Sequence, residues 1–257
     1  MYTYEQIQSA FARIGMCAPA FPIVPTAELL SEIQYRFAAT VPYENLDILA
    51  GIPLDLTEDG LFDKIVTRHR GGYCFEVNGF LTFWLRSMGY DVTEYFARYL
   101  RGEDGIPMRR HRVLCVTCAD RSRWIADVGI GQPTYRRSLV FEENIEQPVC
   151  GDTYRLVRRD FYGWVIEDWH KGAWRPFYSF TEEVQLPMDY EMPSYWCEKH
   201  PDSPFTKGYM LSIKTDTGRI TLDDHTFRQF DGDKVTEKQL TEDEIPAVLR
   251  DVFGILA

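Results

Sequence analysis

The hydrophobic period of this chain changes once, near Tyr90, and that change restricts the fold before any motif is read. Up to that point apolar residues recur at helical spacing. Ile7, Ala10, Phe11 and Ile14 follow a Thr3/Gln6 capping box, and Leu29, Leu30, Ile33 and Phe37 follow Thr26. A short helix is expected over 61–67. A longer one, starting at Cys74, carries Val77, Leu81, Trp84, Leu85 and Met88 on one stripe and stops at Gly89. From Asp91 onward the period moves toward two. Strands are expected over 91–100, 112–118, 123–128, 153–159 and 163–169, with turn signals between them. Short strands in series point to an antiparallel sheet or barrel. The last third mixes a helix over 189–199 that Pro193 would interrupt, strands over 209–214 and 219–222, and a Thr241-capped helix over 242–253.

A chain of 257 residues can bury one large core or two to three smaller ones. Its net charge of -11 argues against nucleic acid or an anionic membrane as a partner. No apolar run approaches the ~20 residues of a membrane span. The first residues lack the basic-then-apolar pattern of a secretory signal. The cysteines, Cys17, Cys74, Cys115, Cys118, Cys150 and Cys197, are too dispersed for a disulfide framework, so a reducing cytoplasm is expected.

One of them stands apart. In Arg70-Gly71-Gly72-Tyr73-Cys74-Phe75-Glu76-Val77-Asn78 the thiol sits where a glycine-rich turn becomes a helix. The glycines leave the approach to the sulfur open. The unpaired N–H groups and positive end of the helix favour the thiolate, the nucleophilic form. The competing reading is a buried free cysteine packed as a small hydrophobe.

A cysteine nucleophile requires a base and a group to orient it. His111 opens the apolar strand His111-Arg112-Val113-Leu114-Cys115-Val116. Asp127 is the lone acid in Trp124-Ile125-Ala126-Asp127-Val128-Gly129-Ile130-Gly131, where it is costly to bury unless paired. Whether the two meet depends on the intervening hairpin. A loop of two or four residues around 119–122 puts them on opposite faces, whereas an odd loop or a bulge puts them on the same face.

With these three residues in that order, the chain resembles the arylamine N-acetyltransferases. Val41-Pro42-Tyr43-Glu44-Asn45-Leu46 and His200-Pro201-Asp202-Ser203-Pro204-Phe205 add to the likeness, which runs from the N-terminal helices to at least Phe205. The resemblance implies an α+β chain with a cysteine-protease-like Cys-His-Asp core. Its parts would be a helical bundle over 1–90, an antiparallel β-barrel over 91–188 and an α/β lid over 189–257. It also implies Cys74 as acyl acceptor, His111 as base and Asp127 as the residue orienting the histidine. Acetyl-coenzyme A would be the co-substrate, an aromatic amine or hydrazine the acceptor, and no metal would take part. Ile130 stands where the family more often has an aromatic residue of the acceptor pocket, and Tyr43 where Phe is more frequent.

Arg98, Arg101, Arg109, Arg110 and Arg112 gather around the loop leading to His111. That basic density suits the phosphates of coenzyme A, with Arg101, Gly102 and Gly129 as the expected contacts. The plainer reading is a solvated loop partly neutralised by Glu103 and Asp104. Cys115 and Cys118 form a C-x-x-C, but their odd spacing on a strand sends them to opposite faces, which favours core packing over a metal site. Other functions remain open at this point. They are an amide synthase of the same family that closes macrocycles, a cysteine hydrolase or transglutaminase-like enzyme, and a non-catalytic binding module.

Overall fold

The computed structural model describes residues 1–102 and 105–255. The helices of the first part are α1 Tyr4–Arg13, α2 Ala27–Thr40, α3 Leu46–Leu49, α4 Glu58–Phe62 and α5 Cys74–Ser87. Thr3 Oγ1 accepts from Gln6 N while Gln6 Oε1 accepts from Thr3 N, which closes the expected capping box of α1. The helix expected over 61–67 begins earlier, at a Thr57 cap, and runs from α4 into a π-helical turn, Asp63–Thr67. The apolar stripes meet in one core around Phe11, Phe37, Leu81 and Trp84. None of the helices described is long and apolar enough to cross a membrane.

The second part is one antiparallel sheet. Its strands are β1 Asp91–Tyr99, β2 His111–Thr117, β3 Arg123–Ala126, β4 Leu139–Val140, β5 Gln147–Val149, β6 Asp152–Arg159, β7 Gly163–His170 and β8 Ala173–Gln185. They lie in the order β4-β3-β2-β1-β8-β7-β6-β5. The Gln147 side chain spans the two edges, accepting from Val140 N at 2.7 Å and donating to Val140 O at 3.0 Å. The sheet is thereby nearly closed around Tyr95, Val113, Ile125, Tyr178 and Phe180. The sequence pattern missed β8 because Pro176 reads as a strand breaker. Here Pro176 sits at a bulge, where Ile166 pairs with Tyr178 and Glu167 with Pro176.

Strand β2 is buried on both faces, and its period of two sorts its side chains. Leu114 and Val116 enter the helical core, while Val113 and Cys115 enter the barrel core. Cys118 lies in the helical core, so the C-x-x-C cysteines do face apart.

The third part holds α6 Glu191–Lys199, a meander of β9 Met210–Lys214, β10 Gly218–Asp223, β11 Thr226–Asp231 and β12 Lys234–Gln239, and α7 Ile245–Asp251. Pro193 does not interrupt α6. It is the third residue of that helix, where an N–H is not needed. Strands β11 and β12 escaped the sequence reading because they are polar; β12 is exposed along its whole length. The terminal helix opens with a 3-10 turn, Glu242–Glu244, before α7.

Candidate functional site

Two backbone seams bring the motif segments together. Tyr43 pairs with Ser212 of β9 through Tyr43 N to Ser212 O, 2.9 Å, and Ser212 N to Tyr43 O, 3.0 Å. On its other side Glu44 N donates to Gly72 O and Gly72 N to Pro42 O. Gly71 is required here, because a Cβ at that position would fall 1.8 Å from Pro42 O.

Beneath this loop lies a buried ionic network that the sequence reading did not find. Lys64 Nζ is 2.6 Å from Glu76 Oε1 and 2.8 Å from Asp47 Oδ2. Arg70 Nη2 is 2.8 Å from Glu44 and 2.9 Å from Asp47. Glu76 Oε2 also accepts from Tyr73 N at 3.1 Å and so caps the start of α5. Burial pushes the Glu76 carboxyl up to about 7 despite Lys64 beside it. Burial works the same way on Asp47, but Lys64 and Arg70 outweigh it and hold that carboxyl below its ordinary range.

Cys74 is the first residue of α5 and is buried, its Sγ 3.7 Å from Arg110 O. Burial, then Cys197 and Asp127, push its thiol well up. The backbone N–H groups of Arg112 and Phe75 pull the other way and do not win. The backbone N–H groups at the helix start thus act on the sulfur in the expected direction, but against a larger opposing effect. Desolvation of the sulfur outweighs the helix N–H groups, and a thiolate here requires a cation.

The β2–β3 connection is a five-residue loop. Thr117 pairs with Arg123, so residues 118–122 lie between them. Arg121 turns it with φ +71°. The odd loop puts His111 and Asp127 on the same face, and His111 Nε2 lies 2.5 Å from Asp127 Oδ2. The other carboxylate oxygen of Asp127 accepts from Asn78 Nδ2 and from Gly129 N, both at 2.9 Å. Asn78 also donates to Arg112 O at 2.7 Å and accepts from Val128 N at 3.0 Å. Gln34 Oε1 accepts from Asp127 N. A buried asparagine one turn after a cysteine was the available signal for Asn78. The Tyr178 ring meets the His111 ring edge-on, 5.5 Å between centroids.

A cleft of about 920 Å³ runs between the barrel and the β9–β12 sheet. Cys74 and His111 open onto it, as do Tyr43, Ile130, Arg101, Gly102 and Gly129. Gly129 has a packing reason of its own. A Cβ there would come 2.7 Å from Cys74 Cα, so only glycine lets the β3 end lie against the start of α5.

The arginine cluster is only partly at the cleft. Arg101 and Arg110 line it. Arg101 is held by Asp168 at 2.5 Å and by Pro176 O at 3.0 Å. Arg112 points away, because it alternates with His111 along β2. It is buried in an ion pair with Glu94 over the Tyr190 ring. Arg109 pairs with Glu183, and Arg98 donates to Pro107 O at 2.5 Å. Glu103 and Asp104 lie outside the described residues.

The sequence model of the N-acetyltransferase family matches residues 26–256. The arylamine N-acetyltransferase of Mycobacterium tuberculosis H37Rv is 34% identical over 203 residues, covering 77% of this chain and 71% of the relative. The solved arylamine N-acetyltransferase of Salmonella typhimurium superposes with a TM-score of 0.91 at 29% identity, over 99% of this chain and 92% of that one. The Mycobacterium marinum enzyme, solved in complex with CoA, gives 0.89 at 29% identity over 97% and 92%. With the family model spanning most of its length and its fold shared with these enzymes, the chain belongs to the arylamine N-acetyltransferase family.

Proposed function

We propose that this enzyme moves acetyl from acetyl-coenzyme A to an aromatic amine or hydrazine by a ping-pong route through acetyl-Cys74. The observation that carries this reading is the 2.5 Å His111–Asp127 contact beside a cysteine in one cleft. With Nε2 on Asp127, His111 offers Nδ1 to the sulfur. An imidazolium there supplies the cation that the desolvated thiolate needs, and buried Asp127 stabilises that imidazolium.

The thiolate attacks the thioester carbonyl, forming the Cys74 S–C bond. The C–S bond to coenzyme A breaks, and the departing thiolate takes the proton from His111. In the second half the amine attacks acetyl-Cys74, the C–S bond breaks, and His111 accepts the amine proton. The backbone N–H of Cys74 and a strand amide are the candidate donors to the oxyanion of both tetrahedral intermediates.

In the same reading Arg101, Gly102 and Gly129 contact coenzyme A, and Tyr43 and Ile130 contact the acceptor. The CoA complex of the M. marinum relative supports the donor. Residues 1–90 would then carry the nucleophile, 91–188 its base and acid, and 189–257 the lid. The test is intact mass after mixing with acetyl-coenzyme A and no amine. A gain of one acetyl group, mapped to Cys74, is expected. No adduct under single-turnover conditions sinks the proposal.

A further inference from the structure

Phe177 and Tyr178 are neighbours on β8, yet both side chains lie in the barrel core. A regular strand would send them to opposite faces. The bulge between β7 and β8 removes that alternation. Ile166 pairs with Tyr178 and Glu167 with Pro176, which leaves Phe177 as the extra residue. Tyr178 is thereby aimed at the His111–Asp127 pair. Its ring meets the His111 ring edge-on, and its hydroxyl faces the Asp127 carboxylate.

The proton count of this corner is restrictive. Tyr135 and Tyr178 are fully buried, with their hydroxyl oxygens 2.8 Å apart. That contact uses one hydroxyl proton and leaves the other in need of an acceptor. Burial pushes both phenols well up, so neither sheds its proton by ionising. Asp127 is an acceptor within reach, acting on the Tyr178 hydroxyl both as a charge and as a hydrogen-bond partner. The carboxylate in turn has room for one more donor. Of the roughly four lone-pair positions of a carboxylate, Asn78 Nδ2 and Gly129 N take two on Oδ1, and His111 Nε2 takes one on Oδ2. Gln34 of α2 ties the two segments together. Its Nε2 donates to Tyr135 O at 3.0 Å, and its Oε1 accepts from Asp127 N at 3.2 Å.

We propose that Tyr135 and Tyr178 are positioning residues for the His111–Asp127 pair: Tyr135 donates to Tyr178, Tyr178 donates to Asp127, and the chain limits how tightly the carboxylate holds the imidazolium. A hydroxyl that stabilises the carboxylate's charge makes it a weaker partner for the ring. This role rests on the acetyl-Cys74 reading, in which His111 is an imidazolium in the first half and a free base in the second. Too tight a hold would leave the ring protonated when the amine attacks. Neither phenol is among the residues lining the cleft, so both act only through the triad. The other groups around the pair are Cys74 on α5 and Arg110, which lines the cleft beside His111. Arg112 points away to Glu94 on β1.

The test is an NMR titration of the His111 ring in a Cys74→Ser background, where no thiol competes for its proton. It covers that background alone and with Tyr135→Phe, Tyr178→Phe or both, substitutions that keep the rings. Loss of the signal in His111→Gln assigns it. With Tyr178→Phe the midpoint should rise by about one pH unit, equivalent to ~1.4 kcal/mol of added hold on the imidazolium. Tyr135→Phe should raise it by less, since only the polarisation of the Tyr178 hydroxyl is lost. The double variant should match Tyr178→Phe, because Tyr135 acts through Tyr178. If Tyr178→Phe alone fails to fold for want of a partner for Tyr135, the double variant, which removes both members of the bond, still reads the midpoint. In the enzyme with Cys74, the acid limb of the rate at which an amine discharges acetyl-Cys74 should rise alongside. A purely structural role would lower the melting temperature and leave the midpoint in place, and that result overturns the proposal. A midpoint that falls overturns it, as does a Tyr135→Phe shift that persists without the Tyr178 hydroxyl. The titration needs no turnover, whereas acetyl-Cys74 is read by mass, so failure of either reading is distinguishable from failure of the other.

Discussion

Asn78 Nδ2 donates to Asp127 Oδ1 at 2.9 Å, so the helix that begins with Cys74 also holds the acid behind His111. A rigid helix, rather than a loop, thus sets the spacing between Cys74 and Asp127. Asn78→Ala would leave Arg112 O, Val128 N and one Asp127 oxygen short of a buried partner, at ~1–3 kcal/mol for an unmet group. We expect kcat to fall about tenfold or more with little change in the KM for acetyl-coenzyme A. Single-turnover acetylation measures this; a wild-type acetylation rate would show that Asn78 positions nothing.

The pH profile of Cys74 reports its cation. In the parent, alkylation by iodoacetamide should remain fast below the ~8.5 pKa of a free thiol. In His111→Gln burial, Cys197 and Asp127 still raise the thiol, and the backbone N–H groups of Arg112 and Phe75 do not outweigh them. The variant's profile should therefore move above that of free cysteine rather than onto it. A parent that titrates like free cysteine would contradict the ion pair.

Lys64→Met tests the network under the glycine loop. It leaves Glu76, Asp47 and Glu44 facing one another with Arg70 alone, and breaking a buried pair costs ~3–5 kcal/mol. Glu76 is a carboxyl whose folded pKa is already raised, to about 7. Such a group binds more protons folded than unfolded, so its contribution to stability falls as pH rises from the ordinary carboxylate range through about 7. Without Lys64 that fall extends to higher pH. The stability difference between variant and parent, from urea unfolding, should be larger at about pH 8 than at about pH 6. A difference independent of pH would mean that Glu76 is not the group left unpaired.

Ile130 lines the cleft and packs on the barrel core. Ile130→Phe adds a ring–ring contact of ~0.5–1.5 kcal/mol for an aromatic acceptor, provided the core accommodates it. The KM for small neutral arylamines should drop by up to about tenfold. Constants unchanged across a panel would remove Ile130 from the acceptor pocket.

What the sequence disclosed follows from how local each determinant is. The Cys74 helix was legible because Gly71-Gly72 and the stripe from Val77 to Met88 are contiguous. The meeting of His111 and Asp127 was legible only as a condition on loop parity. The residue that turns the loop, Arg121, takes φ +71° without being Gly or Asn, so nothing local announced it. Strand β8 was hidden by a proline at a bulge. The ionic network was hidden by distance along the chain. Arg70 and Glu44 are 26 positions apart and meet only when the segment around Tyr43 lies against the glycine loop. Asn78 was in plain view, but its three side-chain partners, Arg112, Asp127 and Val128, lie on β2 and just past the end of β3.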